Sequence, residues 1–77
     1  MIFYTIQVRT YSGYKADERP IDFIFEGKTH KIEEIPSQTY EEIPGVGLRR
    51  RFDIKTDEEV TFRLLYDEKQ DQWFLEE

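Results

Sequence analysis

The sequence predicts an all-β domain of about six short antiparallel strands, arranged as a meander or a small closed barrel of SH3-like size. Apolar and polar residues alternate with a period of two in several segments, and polar, turn-forming stretches separate these segments at near-regular spacing. Aromatic residues make up 16% of the chain, and such side chains pack well on a pleated surface. No amphipathic helix is predicted to cover an open sheet, which favours a barrel. A two-layer β-sandwich is the alternative.

Three strands are predicted in the first half of the chain. Residues 2–11 form the first, and residues 21–25 form the second, which turns over residues 26–28 into a third over residues 29–35. Ile32 and Ile35 are three positions apart, so a β-bulge or a bend must bring both into the core. Asp22 on the second strand and Leu65 on the fifth are expected to face outward. The side chains expected to face inward on the first two strands are Tyr4, Ile6, Val8, Ile21, Phe23 and Phe25.

The second half begins with residues 36–47, which we expect to be an irregular connection because they contain two prolines and two glycines. Leu48, Phe52 and Ile54 share one face of the next strand. The predicted strands of this half cover residues 48–56, 60–66 and 73–75, and the polar segments 56–59 and 67–72 form the turns between them.

The composition limits the possible functions. A chain of 77 residues is expected to form a single domain, residues 1–77. It has no cysteine, which excludes disulfides, thiolate nucleophiles and zinc–thiolate sites. No apolar run approaches a membrane span or a signal peptide, so we expect a soluble, cytoplasmic protein. The net charge of −6 argues against general binding to phosphate backbones.

Residues for catalysis are few. His30 is the only histidine, and Ser12 and Ser37, the only serines, lie in no G-x-S-x-G motif. Residues 67–71 lack the spacing of a calcium loop, and residues 45–47 lack the third glycine of a phosphate loop. We therefore predict no enzymatic activity, no metal and no cofactor. An enzyme that uses carboxylates and arginine at a barrel mouth is the least favoured hypothesis, since a barrel of this size encloses little volume.

The first candidate interaction site is the loop over residues 12–20 together with the preceding tyrosine. Tyrosine and arginine often anchor interfaces, and loops often carry function. The alternative is a loop whose charges pair with one another while its tyrosines complete the core. The candidate residues are Tyr11, Tyr14, Lys15, Asp17, Glu18 and Arg19.

The second candidate is a basic segment, residues 48–56, with four basic residues and one acidic residue. Arg49 and Arg51 are predicted to point outward with Lys55, as a stripe for phosphate or an acidic partner. The alternative is cross-strand pairing with acids such as Glu26, Glu33 or Glu59. Arg50 lies on the inward-facing side of the strand and must either reach a rim or pair with a buried acid.

Three motifs resemble a group of short bacterial proteins of unknown function. The stretch Y-S-G-Y-K-A-D-E-R-P covers residues 11–20, R-F-D-I covers residues 51–54, and Y-D-x-x-x-D-x-W-x-L covers residues 66–75. The resemblance spans nearly the whole chain and implies a small all-β cytoplasmic protein. It implies no activity.

The residues favour a non-enzymatic binding module that engages a protein partner, or a second copy of itself, through the loop over residues 12–20. A small barrel that associates with single-stranded nucleic acid is the alternative, with Arg49, Arg51 and Lys55 on the phosphates and Tyr11 or Tyr40 stacked on bases. No membrane partner is expected.

Overall fold

A computed structural model describes residues 2–11, 19–45 and 47–77 of the chain. These residues form six antiparallel strands that close into a barrel in chain order, which confirms the predicted all-β barrel. In the described ranges no helix is long and apolar enough to cross a membrane. The strands are β1 (Phe3–Tyr11), β2 (Arg19–Phe25), β3 (Lys28–Ile43), β4 (Gly47–Thr56), β5 (Thr61–Asp67) and β6 (Gln72–Glu76).

β1 closes the barrel because it pairs with two strands in succession. Residues 3–6 pair with β6, and residues 7–11 pair with β2. Beyond the last pair, the backbone N–H of Ile2 donates to the carbonyl of Glu77 at 3.1 Å, and the N–H of Glu77 donates to Ile2 at 2.8 Å. These bonds satisfy strand edges that would otherwise be open.

The core consists of alternate residues from five strands. Phe52 packs against Trp73 with ring centroids 5.4 Å apart, and Phe23 stacks on His30 at 5.0 Å. Val8, Phe25, Ile32, Ile35, Phe62 and Tyr66 pack around the buried cluster. The buried cluster consists of Ile6, Phe23, Phe52, Ile54, Leu64, Trp73 and Leu75.

Four side chains differ from the prediction in how far they are buried. Tyr4 is partly exposed and meets Phe25 edge-on at 5.3 Å, and Ile21 lies at the surface because a β-bulge interrupts its pairing. Asp22 was expected to face solvent but is buried, and its carboxylate accepts a hydrogen bond from Arg9 at 2.6 Å. Leu65, also expected outside, is buried, with Arg51 and Phe74 as its cross-strand neighbours.

The turn predicted over residues 26–28 is present as a two-residue loop, Glu26 and Gly27, and Lys28 already belongs to β3. Both loop residues have positive φ, 53° and 75°, as a type I′ turn requires. Next to this turn, the Lys28 ammonium donates a hydrogen bond to Glu58 at 2.6 Å, and this bond lowers the pKa of the Glu58 carboxyl. The pair links the β2–β3 turn to the β4–β5 turn.

The β4–β5 and β5–β6 turns each contain a buried polar side chain that accepts backbone hydrogen bonds. Thr56 Oγ1 accepts a hydrogen bond from the N–H of Val60 at 3.2 Å, which places Val60 in the turn rather than at the start of β5 as predicted. Asp67, predicted to be a solvated turn residue, ends β5 and is buried. Its Oδ1 accepts hydrogen bonds from the N–H groups of Lys69 at 3.0 Å and Gln70 at 3.2 Å.

The irregular connection predicted over residues 36–47 is wrong, because β3 continues to Ile43. Its pairing with β4 shifts register between Ile32 and Glu34 and again between Glu34 and Ser37. These bulges confirm the irregularity inferred from the spacing of Ile32 and Ile35, both of which pack against the core. Pro36 is tolerated because it lies inside the second irregularity, where a missing N–H costs no regular ladder bond.

Candidate functional site

A cleft of about 860 Å³ opens where β2 and β3 separate. The two strands pair from Phe25 and Lys28 up to Asp22 and Lys31, and β3 then pairs with β4 alone. The separation follows from the two bulges in β3, since each one bends the strand and shifts its register. We call this gap, between residues 19–21 of β2 and residues 32–38 of β3, the β2–β3 cleft.

One wall of the β2–β3 cleft comes from the ends of β1 and β2. Tyr11, Arg19, Pro20 and Ile21 line it. Arg19 and Pro20 were predicted to belong to a loop, but they pair with Tyr11 and Thr10 as part of β2. Ile21 has no partner in that register, because Arg9 pairs with Asp22 and Thr10 with Pro20. Tyr11 is 63% exposed and Ile21 36%, so this wall presents accessible apolar surface.

The opposite wall comes from the bulged part of β3. Ile32 and Ile35 line it with Glu33 and Gln38. The two isoleucines are half-buried against the core, and they supply an apolar wall that faces Ile21. Large ligand sites commonly combine such apolar walls with a few polar groups.

The charge along β3 is acidic. Glu33 lies in the cleft, and Glu34 and Glu42 lie further along the strand with exposed side chains. Within the described ranges, no basic side chain forms an ion pair with any of these three carboxylates. These carboxylates favour positive charge along β3, while Arg19 places one positive charge on the other wall of the cleft.

The described walls of the cleft carry few titratable side chains. They are Tyr11, Arg19 and Glu33. In the part of the chain that the structure describes, no group of three or more histidine, aspartate or glutamate side chains could hold a metal ion. The volume is larger than we expected for a barrel of this size, because the gap between two strands is open to solvent.

The arginines of β4 lie on a different surface. Arg51 pairs directly with Thr39 of β3, so it shares the face opposite to Gln38 and the cleft. Its Nη2 lies 3.1 Å from Glu41 Oε1, and Arg49 Nε lies 4.0 Å from Asp67 Oδ2. The predicted cross-strand pairing with acids is therefore present, but the acids differ from those named, Glu26, Glu33 and Glu59.

Arg50 lies on the side of β4 that carries Phe52. Its Nε donates to Glu68 at 3.0 Å, and its guanidinium lies 5.2 Å from the centre of the Tyr40 ring. Arg50 therefore pairs with an acid, but this acid is exposed and not buried as one of the two expectations had it. Tyr40 is still 52% exposed, so its ring offers an apolar surface beside the cleft residue Gln38.

The structure brings together only part of the predicted site. Tyr11 and Arg19 meet in the cleft, whereas Arg49 and Arg51 lie on the opposite face of the β3–β4 ladder. Tyr14, Lys15, Asp17 and Glu18 lie outside the described residues.

Sequence reasoning missed the β3 wall, namely Ile32, Glu33, Ile35 and Gln38. The signal for it was the three-residue spacing of Ile32 and Ile35. That spacing indicated a bulge, and a bulge separates a strand from one of its neighbours.

Comparisons with protein-family models, curated proteins and solved structures find no match to this chain. The resemblance to short bacterial proteins stays a prediction.

Proposed function

We propose that this protein is a non-enzymatic interaction module that binds a basic, extended segment of a partner protein in the β2–β3 cleft. The single observation that carries the proposal is the open gap between β2 and β3, with Ile21 on one wall and Ile32 and Ile35 on the other. An apolar side chain of the partner would fill this gap and exclude water from both walls. The cytoplasm stays the expected location.

Charge decides which kind of segment fits. Three carboxylates, Glu33, Glu34 and Glu42, line or flank the cleft without basic partners in the described part of the chain. The whole chain carries a net charge of −6. A segment with lysine or arginine next to its apolar residues would complement this surface and associate faster at low salt.

The test is a selection from a phage-displayed library of random decapeptides against the folded full chain. Affinities of the enriched peptides are then measured by fluorescence anisotropy. Ile21→Ser should weaken binding about tenfold, since covering a half-exposed isoleucine contributes on the order of 1 to 2 kcal/mol.

Ile24→Ser is the matched control, because Ile24 lies on the same strand, is 44% exposed and does not line the cleft. It should change the affinity less than twofold. Equal effects of the two substitutions, or a library without enriched peptides, would contradict the proposal.

Association with single-stranded nucleic acid is the weaker proposal. Arg49 and Arg51 lie beside carboxylates, and their Nε atoms are shielded from solvent without hydrogen-bond partners among the described residues. Neither side chain is therefore free to follow a phosphate backbone. Anisotropy of a labelled single-stranded oligonucleotide at low salt checks this, and we expect no binding at micromolar protein.

A further inference from the structure

One edge of β3 just outside the cleft has no pairing strand among the described residues. Residues 37–43 pair with β4, from Ser37 opposite Asp53 to Ile43 opposite Gly47, while β2 pairs with β3 only as far as Lys31. Among the described residues, no backbone group forms a hydrogen bond with the other side of this segment. We call residues 37–43 the β3 free edge.

The β3 free edge can accept another strand. Pro36 and Pro44, which have no N–H, stand just outside it, and the seven residues between them contain no proline. A free edge of this kind presents alternate N–H and C=O groups, which is the feature that proteins use to bind extended peptides by strand addition. Seven residues are also enough, since five or six form a typical strand.

One face of the free edge continues the cleft. Alternate residues of a strand share a face, so Gln38, Tyr40 and Glu42 lie in a row that starts at the cleft. Gln38 lines the cleft, Tyr40 offers an exposed ring, and Glu42 offers an exposed carboxylate. The opposite face is less open, because Glu41 already pairs with Arg51.

From these observations we infer that the partner segment binds as an additional β-strand on the β3 free edge. Every second residue of the segment faces the row that continues the cleft: one apolar residue in the cleft, one against Tyr40, and a lysine or arginine opposite Glu42. This inference rests on the proposed function and adds the binding mode and the sequence pattern.

A second copy of the chain fits this edge less well than a basic segment. Pairing two β3 free edges would bring Glu41 and Glu42 of both copies onto one short ladder, with Glu34 close by. Like charges on neighbouring strands are destabilising, and each copy carries a net charge of −6. The acidic edge therefore opposes self-association.

The sequences of the enriched peptides give the first test. They should alternate, with apolar residues two apart, lysine or arginine two positions further, and no proline between them. Enrichment of acidic or proline-containing peptides would overturn the inference.

Backbone methylation of the tightest peptide gives the decisive test. Two versions are made, each with N-methyl groups at alternate positions. Strand addition places one set of N–H groups against β3 and the other set toward solvent. One version should therefore lose at least tenfold in affinity, and the other should bind like the parent peptide. Equal binding of both versions would overturn strand addition.

The role of Glu42 is tested by reversing its charge. Glu42→Lys should weaken binding at least fivefold, whereas Glu26→Lys, which changes the net charge equally in an exposed turn, should change it less than twofold. Equal effects would overturn the placement of the basic residue.

The failure of each proposal is recognisable. Binding that depends on Ile21 but tolerates both methylated peptides would contradict strand addition and leave the cleft as the binding site. Binding that is insensitive to Ile21→Ser would contradict the cleft itself. Sedimentation of the free protein tests whether a second copy of the chain occupies the β3 free edge. We expect a monomer. A dimer that dissociates when the peptide is added would overturn the choice of a basic segment.

Discussion

Replacing Asp67 by alanine should remove the side chain that holds the β5–β6 turn. Asp67 is only 3% exposed, and one of its oxygens accepts hydrogen bonds from the N–H groups of Lys69 and Gln70 at 3.0 and 3.2 Å. Both donor residues are exposed, so water can replace the lost acceptor. Each bond therefore contributes about 1 kcal/mol, the typical value for a neutral pair and less than a fully buried charged acceptor would give.

The 4.0 Å contact of the Asp67 carboxylate with Arg49 adds little, because the pair is long and its arginine is partly exposed. We expect Asp67→Ala to lower the free energy of unfolding by about 2 kcal/mol. Asp67→Asn keeps a neutral acceptor oxygen, so it should cost about half as much.

Urea unfolding monitored by tryptophan fluorescence measures both variants, because Trp73 is the only tryptophan and is buried in the core. Asp57→Ala is the control: Asp57 is an exposed residue of the β4–β5 turn, and its replacement should change the free energy of unfolding by less than about 0.5 kcal/mol. A cost for Asp67→Ala no larger than that of Asp57→Ala, or equal costs for alanine and asparagine at position 67, would refute this reasoning.

Three further predictions concern the other turns. Glu26→Asn should raise the free energy of unfolding by roughly 0.5 kcal/mol in the same assay, because asparagine tolerates the positive φ of 53° better than glutamate. An unchanged midpoint of urea unfolding would contradict this prediction. Thr56→Val should lower the free energy of unfolding by about 1 kcal/mol because the N–H of Val60 loses its acceptor, and no loss would mean that this bond is not needed. Lys28 lowers the pKa of Glu58 below its ordinary 4.5, so the stabilising contribution is present above that pH and is lost as the pH falls through the lowered value. Glu58→Gln should therefore destabilise at pH 7 and converge with the parent well below pH 4.5, and a difference that is constant with pH would contradict this assignment.

The alternating segments could be predicted because a strand that is buried on one face must place apolar residues two apart. Phe52, Ile54 and Leu64 follow this rule and lie in the core. The turn at Glu26 and Gly27 was equally readable, because few residues accept two successive positive φ values.

The extension of β3 to Ile43 could not be predicted from apolar alternation. Pro36 and Pro44 are typical of loops, and single-sequence patterns do not show that one proline lies in a bulge and the other beyond the strand end. Among the described residues, β4 is the only partner of residues 37–43. The side chains of Gln38, Tyr40 and Glu42 are exposed there, so this segment needs no apolar alternation. The cleft depends on this tertiary arrangement, and for that reason only Tyr11 and Arg19 were anticipated.

The burial of Asp22 and Leu65 was missed for a related reason. The pattern of alternation assigns each residue to a face but does not say what covers the outer face. Arg9 reaches the Asp22 carboxylate, and Arg51 and Phe74 flank Leu65 on the neighbouring strands. Long side chains of this kind cover neighbouring residues on a sheet surface.

A structure of the full chain bound to the tightest selected peptide is the sharpest test of peptide binding in the β2–β3 cleft and on the β3 free edge. We expect the peptide backbone to form hydrogen bonds with residues 37–43 and one apolar side chain of the peptide to lie between Ile21 and Ile35. A peptide bound over Arg49 and Arg51, with the β2–β3 cleft and the β3 free edge unoccupied, would contradict this expectation.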